Sequence, residues 1–183
     1  MVQPVVDELS KVAMAPALQA SLMRARDYAS QQGHLQVMLE HLLLALTEDE
    51  DAAVVLQVCR IDLGRLRNDI AGFIGAEIER TPDGSPSDPR ISAGLTQILK
   101  YATLAARQGR RPRIDGAIVL AAVVGEGRSM SAAFLKSQGL TFEEAIKALQ
   151  QAAQPAARKS MAPLSELGPP PSLAERPQLA APD

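Results

Sequence analysis

Gly33-His34-Leu35-Gln36-Val37-Met38-Leu39-Glu40-His41-Leu42-Leu43-Leu44-Ala45-Leu46 is the stretch whose reading decides the fold. A short loop opening on a glycine runs into a glutamate-histidine pair and then into an unbroken apolar run. That run is too short to span a membrane and has no polar face, so other helices must cover it nearly all round. Glu40 falls in its first turn, where a carboxylate meets the positive end of the helix dipole and backbone N–H groups that lack intrahelical partners. The stretch predicts a core helix, from about Glu40 to Leu46, with one charged end.

The bulk of the chain agrees with a helical core. Its 183 residues allow one domain and a tail. Apolar residues make up 46% and aromatics 3% with no Trp, so the core must be built from Ala, Leu, Val and Ile. A net charge of -2 lacks the basic footprint of a nucleic-acid binder, and no nucleic-acid partner is expected. The single Cys59 excludes an internal disulfide and fits a reducing compartment. No apolar stretch is long enough for a membrane span and Met1 to Ser10 has no signal-peptide plan, so the reading is a soluble cytoplasmic protein without a membrane partner.

Upstream of the organising stretch, Pro16 suits a first helical turn, and Leu18, Leu22, Ala25 and Ala29 recur at helical spacing up to a stop at Gly33. Downstream, the acidic turn Glu48-Asp49-Glu50-Asp51 leads to a third helix carrying Ala53, Val54, Leu56 and Val58. Asp62 then caps a fourth, with Leu63, Leu66, Ile70 and Phe73 or Ile74 on one side. Residues 81 to 89 hold only turn and breaker types and read as an exposed linker, with Asp88-Pro89 as cap and first residue of the next helix.

Beyond this linker the chain repeats its first half. At an offset of 76, Ala29-Ser30-Gln31-Gln32-Gly33 aligns with Ala105-Ala106-Arg107-Gln108-Gly109, Leu22 with Ile98, and Leu42-Leu43-Leu44-Ala45 with Ile118-Val119-Leu120-Ala121. After three inserted residues Leu56 meets Leu135 and Ile61 meets Leu140, and Thr141 with Glu144 has capping-box spacing. The expectation is an all-α fold of two four-helix repeats related by a pseudo-two-fold axis. Repeat one spans 14–79, the linker 80–88 and repeat two 89–153, behind an N-terminal extension, 1–13. The Pro/Ala-rich residues 154–183 have too few large apolar side chains to bury and are expected to be disordered.

Gly33-His34, five residues, then Glu40-His41-Leu42-Leu43-Leu44-Ala45-Leu46 also resembles the signature of the Clp N-terminal repeat, the all-helical domain in front of the ATPase rings of Clp unfoldases. The resemblance covers about residues 14 to 153. It implies a non-enzymatic interaction module working with Clp unfoldase and protease components, a ClpS-like adaptor or substrate proteins. In that family the glutamate matching Glu40 belongs to the surface that receives partners, which are adaptors in one branch and phosphorylated arginine side chains in another. The sequence departs from the pattern in repeat two, where Gly116-Ala117 stands in place of the glutamate-histidine pair. A second acidic position would be displaced to the preceding Asp115, which also reads as a helix cap.

No other chemistry competes well. The chain has no Gly-x-x-x-x-Gly-Lys-Ser/Thr phosphate loop, no Gly-x-Ser-x-Gly and no His-Glu-x-x-His, so neither a motor nor a hydrolase is expected. His34, His41 and Cys59 match no metal-ligand spacing, and no cofactor or metal is expected. Arg107, Arg110, Arg111 and Arg113 form a basic loop on which an acidic partner surface could dock in a salt-dependent way. The candidate partner-binding residues are therefore Glu40, Asp115 and these four arginines. Two alternatives stay open: the front end of a longer or truncated Clp ATPase, and an unrelated helical ligand- or metal-binding protein.

Overall fold

The computed structural model describes residues 13–152; the readings of an N-terminal extension and of a Pro/Ala tail fall outside the described residues, apart from residue 13. Among the described residues eight helices and two very short strands run in the order α1 (Pro16–Gln31), β1 (Gln36–Val37), α2 (Leu39–Leu46), α3 (Glu50–Val58), α4 (Leu63–Glu77), β2 (Arg90–Ile91), α5 (Ala93–Gln108), α6 (Gly116–Glu126), α7 (Met130–Ser137) and α8 (Phe142–Ala152). The first four helices and the last four are the two repeats of an all-α fold.

The organising stretch becomes the core as its pattern requires. Within α2 only Leu44 is part-exposed, while Leu39 to Leu43, Ala45 and Leu46 are buried. α1 packs against α2 and buries Leu18, Ser21, Ala25 and Ala29, of which the small Ser21, Ala25 and Ala29 let the helix backbone approach its neighbours. In α3 the buried set is Ala52, Val55 and Leu56; of the expected positions Leu56 alone is buried, Ala53 and Val54 are half-buried and Val58 is exposed. The helix starts at a buried N-cap: the Oδ1 of Asp49 accepts from the amides of Asp51 and Ala52, both at 3.0 Å. α4 is capped by Asp62 as expected and buries Leu66, Ile70 and Ile74.

Repeat two starts later than its proline suggests. Arg90-Ile91 pairs in parallel with Gln36-Val37, and Ser92 caps α5 by accepting from the Leu95 amide at 3.2 Å. Asp88 instead pairs with Arg26 at 2.9 Å, so the helix begins after a strand, not at Pro89. Thr141 and Glu144 do form the expected reciprocal cap, each side chain bonding the other residue's amide at 3.2 Å.

The pseudo-two-fold relation is visible in crossed pairing. The lead-in to α2 pairs with the lead-in to α5 (Val37 with Ile91), and the lead-in to α6 pairs with the lead-in to α1 (Ile114 with Met14). Both pairs fix the offset between repeats at 77, one more than the alignment of the two halves suggests. Leu18 then matches Leu95, Ala25 matches Ala102 and Ala29 matches Ala106, all buried, whereas Ala105 is exposed. Between repeats, α3 packs on α6 and α8, and α7 on α2 and α4. Residues 80–88 are mostly exposed yet pinned: the amides of Thr81 and Ser87 donate to the carbonyls of Gly33 and Ser30, and the Ser87 hydroxyl to the carbonyl of His34.

Candidate functional site

Glu40 stands in the first turn of α2, only 5% exposed, and its Oε1 accepts from Ser131 Oγ of α7 at 3.2 Å. Two helix N-termini therefore converge on one carboxylate, a placement worth up to about 2 kcal/mol when partly buried. Beside it opens a recess of about 210 Å³ between the starts of α2, α5 and α7, which Met38, Ser92, Gln97, Glu126 and Ser129 also line. Glu126 already accepts from the amides of Arg128 and Ser129, and Ser92 and Ser129 cap their helices, so the recess is a mostly apolar concavity with the Glu40 carboxylate at its wall, which suits a side chain with an apolar stem and a cationic or donor-rich end.

The symmetric junction, between the starts of α6 and α3, is built differently. There the carboxylate is Asp49, 1% exposed, which accepts from Ser21 Oγ at 2.9 Å besides capping α3. It lies against Gly116, the first residue of α6, so closely that a Cβ there would sit 2.6 Å from its Cγ and nearer still to Oδ1. At the true offset, Glu40 and His41 correspond to Ala117 and Ile118, not to Gly116 and Ala117. The acidic group at this junction comes from the other repeat, and it fills the space that stays open beside Glu40.

Asp115 is occupied as a helix cap. Its Oδ1 accepts from the Ile118 amide at 2.9 Å and its Oδ2 from Arg111 at 3.2 Å. Arg111 is thereby drawn inward, while Arg107, Arg110 and Arg113 remain exposed on the α5–α6 turn. Arg110 takes the left-handed conformation, φ 54°, at the position equivalent to Gly33, φ 70°. Glu40 and the arginine loop thus lie on different parts of the fold: one at the starts of α2 and α7, the other between the end of α5 and the start of α6.

His34 and His41 form a buried pair, Nδ1 to Nε2 at 2.9 Å. The Met38 amide donates to Nδ1 of His41 at 2.8 Å. Nε2 of His41 therefore carries its proton and donates to His34, whose own proton sits on a buried Nε2 without a partner among the described residues. Burial, then the neighbouring His34 ring, pushes His41 down to about 4; burial, then the Arg80 cation, also lowers His34. Cys59 is elsewhere, with Sγ facing the Glu144 carbonyl at 3.9 Å.

Each repeat also carries a groove at equivalent positions. In repeat one, about 280 Å³ is lined by Arg24, Tyr28, His41, Leu44, Glu48 and Arg67; in repeat two, about 570 Å³ by their counterparts Tyr101, Ala105, Ile118, Ala121, Gly125 and Ile146, with Phe142 at the edge. Sequence reading missed Asp49, Ser131 and the second groove. The signal for the groove was available: Tyr101 and Phe142 fall off the buried stripes of their helices.

Among the described residues no single helix is long and apolar enough to cross a membrane. The chain is 31% identical over 132 residues to a ClpA homolog protein of Fuscovulum blasticum, covering 70% of this chain but 16% of that protein's length. Its fold is that of the N-domain of ClpV from Vibrio cholerae (TM-score 0.67, 17% identity, 83% of this chain and 90% of that one). It is also that of the ClpV N-domain in complex with a VipB peptide (TM-score 0.64, 17% identity, 82% and 94%). Residues 13–138 match the model of the Clp repeat (R) N-terminal domain, and the chain belongs to that family.

Proposed function

We propose that this chain is a non-enzymatic, cytoplasmic interaction module of Clp ATP-dependent proteolysis, which receives substrates or a ClpS-like adaptor or docks on a Clp unfoldase as an accessory factor. The observation that carries the reading is the open Glu40 recess: a buried carboxylate held by Ser131 at the meeting of two helix N-termini, beside a concavity that its symmetric counterpart lacks. That recess takes an arginine-like or amine-bearing side chain of a partner polypeptide, while the arginine loop offers a second, salt-sensitive contact. The peptide carried by the ClpV N-domain of the same fold supports a polypeptide partner.

The test is affinity purification of tagged chain from its own cells, in parallel for wild type and Glu40→Gln, both shown to be folded by circular dichroism. Recovery of a Clp unfoldase, protease subunit, adaptor or substrate is expected with wild type and at least about tenfold less with the variant. Equal recovery moves the contact to the loop, tested by Arg107→Glu with Arg110→Glu and Arg113→Glu. Absence of any Clp component from every sample overturns the reading.

A second reading is favoured by one observation: the chain spans 16% of the ClpA homolog's length. The same module would then be the partner-receiving front end of a longer Clp ATPase subunit. ATPase motifs in frame downstream support this, and an unrelated neighbouring gene overturns it.

A further inference from the structure

The groove of repeat one is lined by a different set from the Glu40 recess: α1, α2 and α4 bring two arginines, a tyrosine and aliphatic side chains around about 280 Å³. Each guanidinium is held by part of its donor set and leaves the rest unused. Arg24 donates through Nη2 to Ser21 Oγ at 3.1 Å and to the Ala45 carbonyl at 3.4 Å, while its Nε and Nη1 have no partner among the described residues. Arg67 donates through Nε to the buried Thr47 hydroxyl at 2.9 Å; its Nη1 has no partner among the described residues, and neither has the Tyr28 hydroxyl. Ala25, Leu44 and Ala45 supply apolar wall. We propose that this groove binds a carboxylate carried on a short aliphatic stem, the carboxylate taken by Arg24 and Arg67 and the stem by Leu44 and the two alanines.

The charge of the lining selects the anion. Glu48 is the one carboxylate among the lining residues, at the exposed rim and 3.7 Å from Arg67 Nη2. His41 adds no charge, since its Nδ1 accepts from the Met38 amide and its Nε2 donates to His34. Two cations against one anion leave a single net positive charge, which a monoanionic carboxylate matches and a phosphate dianion exceeds. The groove is also prepared in advance: Ser21 and Thr47, both buried, fix the two arginines before any ligand arrives. Helix packing does not require these charges, because the matched positions of repeat two are Tyr101, Ala105, Ile118 and Ile146 in the same helix arrangement. The volume falls just short of the ~300–1,000 Å³ of pockets for drug-sized ligands, so the stem is short.

The test titrates sodium hexanoate into the isotope-labelled full chain at constant ionic strength, read by NMR at the Arg24 and Arg67 Nε–H signals and the Ala45 to Glu48 amides. A saturable shift is expected there, with a dissociation constant of ~1 mM for a ligand of about eight heavy atoms. Arg24→Gln should weaken binding at least about tenfold. Glu48→Gln removes the competing carboxylate and should tighten it about threefold, a gain that a damaged fold does not produce. A second arm uses N-acetyl-alanyl-leucine and its C-terminal amide. Shifts from the acid and not the amide place the carboxylate at the end of a polypeptide; shifts from hexanoate alone make it a free small molecule. Equal shifts from hexanol, tighter binding of inorganic phosphate than of hexanoate, undiminished binding in Arg24→Gln, or no saturation by either carboxylate below ~20 mM overturns the proposal. None of these results depends on Glu40 or on any Clp component.

Discussion

The two grooves occupy the same place on the two halves of the molecule and differ almost completely in chemistry. Where repeat one presents Arg24, Tyr28, His41 and Arg67, repeat two presents Tyr101, Ala105, Ile118 and Ile146. In repeat one the cations are engaged: Arg24 reaches Ser21 Oγ and the Ala45 carbonyl, and Arg67 bonds Thr47 Oγ1 at 2.9 Å and pairs with Glu48. In repeat two the matched positions are uncharged, the charges Glu126 and Arg128 come from elsewhere in the lining, and the cavity is about twice as large. The helix junctions differ in the same manner, with Asp49 closing one and Glu40 leaving the other open. Paired helices fix the backbone through residues that match at the true offset, and the remaining positions are free to diverge.

The largest effect is expected at the closed junction. Gly116→Ala drives a Cβ into the Asp49 carboxylate and should cost about 3 kcal/mol or more in urea unfolding, by overpacking and by loss of a buried cap. In an Asp49→Ala background the same change should cost less than about 1 kcal/mol, since the clash partner is gone. Similar costs in both backgrounds would break the account of the junction. Gly72→Ala, with nothing within 4 Å, is the control and should stabilise by about 0.5–1 kcal/mol.

The histidine pair comes next, because Ile118 at the equivalent position does not titrate. His41 is depressed to about 4 in the folded chain, so between pH 6.5 and 4 the unfolded state binds more protons than the native one. Stability is full above pH 6.5 and falls through that window, by about 3 kcal/mol if His41 acts alone. Urea unfolding of wild type and His41→Ile at pH 7 and pH 4.5 checks this. The variant should lose more than half of the decline, and an undiminished decline would assign it to other groups.

The same residues explain how much of the molecule was legible in advance. The core helix, the duplication and the caps at Asp62 and Thr141 could be read because each is a local pattern. The offset was misread by one because Gln32-Gly33 and Gln108-Gly109 look alike, although the residue with positive φ in repeat two is Arg110. In a helix buried all round such as α2, a one-residue slip of about 100° brings no polar residue inward, so the apolar pattern does not penalise it. Ser92 was missed as a cap because the β1–β2 pairing that displaces the helix start is non-local. The acidic turn gave no hint of which carboxylate turns inward, since that depends on Gly116, far along the chain.

Two smaller tests sharpen the comparison of turns. After α3 and α7 the left-handed position is held by Arg60, φ 56°, in one repeat and by Gly139, φ 87°, in the other. Exchanging them should be asymmetric: Arg60→Gly stabilises by about 0.5–1 kcal/mol and Gly139→Arg destabilises by about 1 kcal/mol, read as shifts in thermal midpoint. Arg111→Ala removes the half-buried pair with Asp115 and should cost about 0.5 kcal/mol, shrinking with added salt. A loss above about 2 kcal/mol would make that pair a structural anchor of the second repeat.

The crossed lead-ins, Val37 on Ile91 and Met14 on Ile114, tie the folding of each half to the other. Neither half completes its own pairing, so a half expressed alone regains both lead-in pairs by forming a two-fold dimer that exchanges these segments. A dimer of today's first half would set Asp49 against Leu39 at both junctions, where only Gly116 leaves room. Only because the two halves share one chain and differ in sequence can one junction close around a carboxylate while its twin stays open.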